Sequence, residues 1–242
     1  MPKYFFTHDQ MHGTKITLDG ETAHHLLHVL RMNPGEKMML CDGAETDYLV
    51  TIEEANPKRL QVICRIESTA PSLSEPLVNV TLYQGLPKAD KLELIIQKCV
   101  ELGVSEIIPV ITSRSVVRTK SDKKNVRYQR IAESAAGQSM RGIIPRVSEA
   151  IAFDDAVKRL APSDLTLVAY EAEQTRTLKA VLSQNQSRDI NIWIGPEGGF
   201  TNDEIAALRS QGATVITLGK RILRTETAAI SMLAQVLCLA EN

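Results

Sequence analysis

Aromatic residues and long hydrophobic runs are both scarce in this sequence. Only 4% of the 242 residues are Phe, Trp or Tyr. No apolar run is long enough to span a bilayer, and the first residues lack a basic region followed by an apolar stretch. We therefore expect no membrane partner and a cytoplasmic location. With 43% hydrophobic and 24% charged residues, the composition is that of an ordinary globular protein.

Paired cysteines, metal-ligand clusters and phosphate-binding glycine motifs are missing as well. The four cysteines lie far apart, three of them in apolar runs, which predicts buried reduced thiols. His24 and His28 are one helical turn apart, but no third ligand lies nearby, so we expect no metal site. Neither G-x-x-x-x-G-K-[ST] nor G-x-G-x-x-G occurs at the glycine-rich segments. The formal net charge of −1 predicts no partner, so any nucleic-acid surface must be local.

Two regions with different patterns divide the chain. Residues 1–70 hold a helix near Thr22–Arg31 and four β-prone runs, KITL, EKMMLC, DYLVTI and RLQVICRI, which predict a small β-barrel. Asp42-Gly43 is placed for a hairpin turn between two of these runs. Residues 71–76 end a Ser- and Pro-rich stretch that is typical of a linker.

Residues 77–242 alternate strands and helices, which predicts an α/β domain whose parallel sheet is covered on both faces. The predicted strands are LVNVTLYQ, EIIPVI, DLTLVAY, INIWI and TVITL. One helix is predicted from Asp90 to Leu102, with Gly103 as its C-terminal cap, and a long polar helix around 122–140. The final helix, 228–240, is apolar on nearly every face, so either it is wholly internal or a second subunit covers one side.

Two glycine-containing loops follow apolar strands near the C-terminus. INIWI leads into Gly195–Gly199, and TVITL leads into Gly219-Lys220-Arg221. Because ligands bind beyond the carboxyl ends of parallel strands, we expect the two strands to be neighbours and their loops to form one site. After the first loop, Thr201 to Glu204 fits a capping box that starts a helix. Tight strand-to-helix turns with no ligand remain an equal alternative for the first loop taken alone.

The first loop is chemically unsuited to phosphate. Its glycines allow close approach of the backbone to a flat ligand, but Glu197 would repel an anion. S-adenosylmethionine has a cationic sulfonium and an adenine that needs backbone hydrogen bonds in an apolar slot. The loop therefore favours this methyl donor over a nucleotide phosphate.

A basic stretch lies between Thr112 and Arg146. It holds nine basic and two acidic residues, a local formal charge of +7 in a chain of net charge −1. Such a stretch attracts phosphates and predicts an RNA-binding surface. The alternative is a solvated helix face.

The strings IGPEGGFTNDEI and LGKRILRTETAAI together resemble the bacterial 16S ribosomal RNA (uracil-N3)-methyltransferases of the SPOUT superfamily. HHLLHVLRMNPGE, KLELIIQKCVELGVSEIIPVITSRSVV and ESAAGQSMR extend the resemblance over most of the chain, in the expected order. The resemblance implies a PUA-like RNA-binding barrel at 1–70 and a trefoil-knotted methyltransferase domain at 77–242. It implies an S-adenosylmethionine-dependent homodimer that methylates N3 of a uridine in 16S ribosomal RNA, within the small ribosomal subunit. A knotted methyltransferase acting on another RNA such as tRNA, or a non-catalytic assembly factor, is the alternative.

The same resemblance implies the site residues. The cofactor-binding set comprises Tyr170, Glu171, Ile194, Gly195, Glu197, Gly198, Gly199, Leu218, Gly219, Ile222, Leu223, Thr225, Glu226, Thr227 and Ala228. Arg224, or Arg141 from a partner subunit, is the candidate for stabilising the uracil anion. Glu197 and Glu226 are candidate bases, although Glu226 at a helix start favours a structural role, and the base stays open. The predicted RNA contacts are His25, Arg31, Lys88, Arg114, Arg118, Arg127 and Arg141.

Overall fold

A computed structural model describes residues 3–116 and 122–241. Contacts within the chain divide the described residues into two units. The first runs up to Glu75 and includes Ala136–Ile144, and the second comprises Pro76–Ala135 and the residues from Pro145 onwards. None of the described helices is both long and apolar enough to cross a membrane.

The first unit is a six-stranded sheet with one short helix. Its strands are β1 (Tyr4–Phe5), β2 (Met11–His12), β3 (Lys15–Leu18), β4 (Lys37–Cys41), β5 (Thr46–Asn56) and β6 (Gln61–Pro71). They are ordered β1-β4-β5-β6-β3-β2. Helix α1 (Gly20–His24) continues as a π turn over His25–Val29, and a 3₁₀ turn lies at His8–Gln10. All four predicted strands are present, and the predicted helix ends before Arg31, whose φ of 55° is left-handed.

Buried side chains that alternate with more exposed ones along the strands form the core of this unit. Ile16 and Leu18 of β3, Leu40 of β4 and Leu26 of the helical segment are fully buried. The turn predicted at Asp42-Gly43 joins β4 to β5, where the Asp42 carboxylate accepts hydrogen bonds from the N–H groups of Ala44 and Thr46.

Two features of the first unit differ from the predicted division. Ser72 and Glu75 lie in the predicted linker, but both bond within the unit. Ser72 Oγ accepts from Lys3 Nζ at 3.1 Å, and Glu75 Oε1 accepts from the Gly142 N–H at 2.8 Å. The segment 136–144, predicted to belong to the second domain, therefore packs with the first unit. Polar contacts between residues far apart in sequence hold this segment there, and no local sequence pattern predicts such contacts.

The second unit is an entirely parallel sheet in its described residues, with helices between the strands. The strands are β7 (Asn79–Gly85), β8 (Glu106–Ile111), β9 (Arg146–Val147), β10 (Ile151–Ala152), β11 (Leu165–Ala169), β12 (Asp189–Ile194) and β13 (Thr214–Ile216). The helices are α2 (Lys91–Leu102), α3 (Asp122–Gln138), α4 (Phe153–Val157), α5 (Leu178–Leu182), α6 (Asn202–Ser210) and α7 (Thr225–Ala240).

Strand order corrects one prediction about the site. The sheet runs β10-β8-β7-β12-β11-β13, and β9 pairs with β8. β12 and β13 are therefore not neighbours, as was predicted, because β11 lies between them and pairs with both. Three strand ends, not two, meet where the glycine loops emerge.

The predicted helix signals are confirmed. Gly103 caps α2 with a φ of 115°, and Thr201 and Glu204 form the capping box of α6. Helix α7 begins at Thr225, three residues earlier than predicted, and packs on α2, α5, β7 and β12. Its first turn therefore lies beside the carboxyl ends of the two central strands.

Candidate ligand-binding site

A cavity of about 1060 Å³ opens at the carboxyl ends of β11, β12 and β13. Its walls come from the ends of these three strands and the loops after them, from Lys91 at the start of α2, and from the start of α7. The predicted cofactor residues that line it are Tyr170, Glu171, Ile194, Gly195, Glu197, Gly198, Gly199, Leu218, Gly219, Ile222, Leu223, Thr225 and Ala228, together with Arg224. Most of the predicted set is therefore brought together in one place.

Some residues depart from the predicted set. Glu226 and Thr227 belong to the first turn of α7 and do not line the cavity. Three further lining residues, Pro196, Lys220 and Arg221, belong to the two loops predicted to form the site. The lining residues that were not predicted are Lys91, Ala169, Glu173, Gln174, Thr177, Phe200 and Thr217. Lys91 had a usable signal, because it lies in the first turn of the helix predicted after the strand LVNVTLYQ.

Close backbone packing explains the glycines of the first loop. The Gly199 N–H donates to the Pro196 carbonyl at 2.9 Å, which closes a tight turn. A Cβ on Gly195 would lie 3.0 Å from Gly199 Cα, and a Cβ on Gly199 would lie 2.7 Å from Glu171 Oε1. Gly199 also has a left-handed φ of 67°, which side chains rarely adopt.

Arg114 lies over the first loop. Its Nη1 donates to the Gly198 carbonyl at 2.7 Å, and a Cβ on Gly198 would approach Arg114 Cβ to 3.1 Å. The loop is thus covered on this side by an exposed arginine that was predicted to bind RNA.

Lys91 links the carboxylates of two segments. Its Nζ lies 2.8 Å from Glu197 Oε1 in the first loop and 3.6 Å from Glu226 Oε2 on α7. The Lys88 backbone N–H also donates to Glu197, at 3.1 Å. Burial acts to raise the pKa of Glu197, but the hydrogen bonds from Lys91 and from backbone N–H groups outweigh it and lower the pKa. The hydrogen bond to Glu197 in turn raises the pKa of Lys91, so both groups are charged at neutral pH.

Glu173 is an anion fixed by its own loop. Its carboxylate accepts from the backbone N–H groups of Gln174, Thr175 and Arg176 and from the Thr175 hydroxyl. The hydrogen bonds from the Thr175 and Arg176 N–H groups lower the pKa of Glu173 most, to about 2. This carboxylate shapes the wall after β11 and is too weak a base to take a proton at neutral pH.

Arg224 is the N-cap residue of α7 and has extended backbone angles, φ −67° and ψ 153°. Its side chain is exposed and lines the cavity. Within residues 3–116 and 122–241, its guanidinium makes no hydrogen bond or ion pair. It is thus a cation available to a ligand.

The predicted RNA contacts have varied surroundings. His25 is half-buried, with Nδ1 3.3 Å from Tyr4 Oη, while Arg31 is exposed. Lys88 is exposed, and Arg127 is exposed but paired with Glu93 at 2.7 Å. Arg118 lies outside the described residues.

The structure contradicts the roles predicted for Arg141. Its side chain is only 3% exposed and forms an ion pair with Glu75 inside the first unit. Nε donates to both carboxylate oxygens at 3.2 Å. A buried, paired guanidinium is unavailable to RNA or to another subunit's ligand, so Arg141 is a structural residue.

Comparisons with known proteins match RNA methyltransferases over both units. The profile of an RNA methyltransferase domain matches residues 74–237, and that of an RNA methyltransferase PUA domain matches residues 18–63. Ribosomal RNA small subunit methyltransferase E of Bacillus subtilis is 34% identical over 247 residues, covering 98% of this chain and 96% of that one. The protein of the same name from Synechocystis is 33% identical, covering 97% and 76%.

Solved structures give the same result. Ribosomal RNA small subunit methyltransferase E of Neisseria gonorrhoeae, bound to S-adenosyl methionine, is 31% identical with a TM-score of 0.89, covering 99% of this chain and 98% of that one. A Legionella pneumophila methyltransferase in complex with the same cofactor is 31% identical with a TM-score of 0.87, covering 98% and 96%. The chain therefore belongs to the family of PUA-containing RNA methyltransferases that includes ribosomal RNA small subunit methyltransferase E.

Proposed function

We propose that this protein transfers a methyl group from S-adenosylmethionine to N3 of a uridine in the 16S ribosomal RNA of the small ribosomal subunit. The observation that carries the proposal is the guanidinium of Arg224, which lines a cavity with glycine-loop walls and has no partner among the described residues. The names of the relatives support ribosomal RNA as the substrate class and S-adenosylmethionine as the donor.

The residues of the cavity fit the proposed donor. Ile194, Leu218, Ile222 and Leu223 give apolar walls for an adenine, and the glycine loops bring backbone polar groups close to it. Acidic and basic side chains both line the cavity. Glu171 is one of the acidic residues, and Lys220, Arg221 and Arg224 are basic residues. S-adenosylmethionine has a sulfonium cation and a carboxylate, and a cavity of mixed charge suits both.

Alignment and electrostatics supply the catalysis that we assign to this chain. When bound, S-adenosylmethionine supplies a methyl group already activated by its sulfonium, so most of the acceleration comes from positioning. Uracil N3 must lose its proton, which we assign to solvent water at the open cavity, and the negative charge left on the base then spreads to O2 and O4. Arg224, whose backbone is set as the N-cap of α7, stabilises that charge with its guanidinium.

The carboxylates near the cavity are not equally suited to accept the proton. The lowered pKa values of Glu173 and Glu197 make both poor bases. Glu226 lies in the first turn of α7, where the helix dipole favours a negative charge, and its Oε2 faces Lys91. We therefore assign Glu197 and Glu226 to holding the site, and catalysis to stabilisation of the uracil anion.

We further propose that the second unit is a trefoil knot of the SPOUT type. After the edge strand β13 the chain returns to the middle of the sheet, where Thr225 bonds to groups at the ends of β7 and β12. A return of this kind supports threading of the C-terminal segment past the loop after β12.

A homodimer and an RNA surface complete the proposal. Leu94 and Leu102 of α2 and Leu239 of α7 are 44%, 37% and 38% exposed on helices that pack together, which supports a second copy covering them. The PUA unit, with His25 and Arg31, and the basic residues Lys88, Arg114 and Arg127 of the second unit are assigned to RNA. The enzyme would work in the cytoplasm, on the ribosomal RNA.

Methylation of defined RNAs tests the proposal. The purified protein would be incubated with methyl-labelled S-adenosylmethionine and with small ribosomal subunits, naked 16S RNA or tRNA, and nucleosides would be analysed by mass spectrometry. We expect labelled 3-methyluridine from a small-subunit substrate. Label in tRNA alone would favour another RNA, and donor binding without transfer to any RNA would favour a non-catalytic factor.

A further inference from the structure

Gln84 is a buried amide beside the cavity that the chemistry above does not use. It lies near the end of β7, is 0% exposed, and pairs in register with Ile194 of β12. Its Nε2 donates to the Gly85 carbonyl and to Thr225 Oγ1, both at 2.9 Å. Thr225 Oγ1 in turn donates to the Gly195 carbonyl at 2.7 Å.

The two backbone carbonyls at either end of this hydrogen-bond series, Gly85 and Gly195, fix the direction of every hydrogen bond between them. The Gly85 carbonyl can only accept, so the group of Gln84 facing it must be the NH₂, whose second hydrogen points at Thr225. Thr225 Oγ1 therefore accepts from Gln84 and sends its own proton to the Gly195 carbonyl. The relay joins β7, the root of the first loop and the first residue of α7.

The other side of the Gln84 amide is unsatisfied. Oε1 is buried and has no hydrogen-bond partner among the described residues. A methionine of similar length would avoid that unfavourable burial, so stability alone does not explain a glutamine here. We therefore look for the role of Gln84 in the two hydrogen bonds that its NH₂ group donates.

Gly85 brings the same strand end against the first loop. A Cβ on Gly85 would lie 2.5 Å from Pro196 Cδ and 2.6 Å from Pro196 N, so only glycine permits this approach. The root of the loop is thus held at two adjacent residues, Gly195 by the relay and Pro196 by contact with β7.

We propose that Gln84 is a positioning residue for the methyl-donor site, acting through Thr225. The relay orients the Thr225 hydroxyl, fixes the Gly195–Pro196 peptide, and sets where α7 begins and hence where Arg224 lies. This inference rests on the proposed function, because it takes the cavity to be the site of S-adenosylmethionine.

Calorimetry with S-adenosylhomocysteine as the probe tests the inference. Each of Gln84→Met and Thr225→Val breaks the relay, so we expect each to weaken binding about tenfold, within the range for lost hydrogen bonds. The double variant should bind no more weakly than either single one. Thr225→Ser keeps the hydroxyl and should retain binding. The KM for the methyl donor should rise in Gln84→Met, while the KM for RNA stays unchanged.

Thr166→Val is the matched control, since Thr166 is also buried in this sheet but lies near the opposite ends of the strands. Thermal unfolding of each variant checks that the fold persists at the assay temperature. If the wild-type protein does not bind the probe, the proposed function fails. If it binds and Gln84→Met binds equally well, or if the losses in the two single variants add in the double variant, the positioning role is wrong.

Discussion

Lys91 and Glu197 form an ion pair, with 2.8 Å between Nζ and Oε1, that ties the first residue of α2 to the loop after β12. Because the folded pKa of Glu197 is lowered, its ionised form stabilises the protein above the unfolded pKa, which we take as 4.5, and this contribution is lost as the pH falls through the folded value. The unfolding midpoint of Glu197→Gln should therefore lie below that of the wild type at neutral pH, and the two should converge on acidification. A neutral-range pKa in the kcat profile that vanishes in Glu197→Gln would instead make this residue the base.

Arg224 should matter for transfer and little for donor binding. Arg224→Ala removes the cation that we assign to the uracil anion, so we expect kcat to fall about 10²- to 10³-fold, the usual cost of losing one such group. The dissociation constant for S-adenosylhomocysteine should change less than threefold. Arg209→Ala, which removes an exposed arginine of α6, is the control and should keep full activity. Equal losses in kcat and in binding would move Arg224 from catalysis to cofactor contact.

Alanine substitutions at Gly199 and Gly212 distinguish the effect of backbone strain from the effect of a steric clash in the site. Both have left-handed φ values, 67° and 83°, so alanine at either position should cost about 1 kcal/mol of stability. Only at Gly199 would the new Cβ meet another group, Glu171 Oε1 at 2.7 Å, whereas nothing lies within 4 Å at Gly212. We expect Gly199→Ala to weaken donor binding several-fold and Gly212→Ala to leave it unchanged, as measured by calorimetry. Matching affinities in the two variants would remove Glu171 from the site.

Local signals in the sequence predicted the longer strands and helices and the loops, but they missed the two-residue strands β1, β2, β9 and β10 and the five-residue helices α4 and α5. Apolar runs predicted the strands to within a few residues, and Thr201 with Glu204 predicted the start of α6. Glycine in both loops indicated the edge where the cavity lies. Strand order could not be predicted in the same way, because pairing is a long-range property and β13 has only three residues to encode it.

The basic residues show the limit most clearly. In sequence, Arg127 and Arg141 belong to one positively charged stretch and look alike. In the fold, Arg127 is exposed beside Glu93, while Arg141 is buried against Glu75, 66 residues away along the chain. The ion pairs of Lys91 could not be predicted for the same reason, since its two carboxylates lie more than a hundred residues from it.

The buried ion pair of the first unit makes Arg141 a stability residue. Arg141→Ala would leave the Glu75 carboxylate, only 13% exposed, without its charged partner. Breaking a buried pair in this way costs about 3–5 kcal/mol, so we expect a clearly lower unfolding midpoint. Arg141→Met with Glu75→Gln should recover part of the loss, because no unpaired charge is then buried. An Arg141→Ala protein with wild-type stability but weak RNA binding would restore the contact first predicted.

Arg31 should contribute to RNA binding by charge. It is exposed at the end of the π turn and forms no side-chain ion pair within residues 3–116 and 122–241, so its charge is available to phosphate. Arg65 on the same unit is the matched control, because Glu53 and Glu67 already neutralise it. We expect Arg31→Ala to weaken binding of the substrate RNA and to reduce the slope of log K against log salt by about one, with Arg65→Ala leaving both unchanged. Fluorescence anisotropy over a series of KCl concentrations measures both quantities. Alanine is strained at a φ of 55° to the same degree as arginine, so the substitution should leave stability nearly unchanged. A loss of affinity with an unaltered salt slope would show that Arg31 does not contact a phosphate.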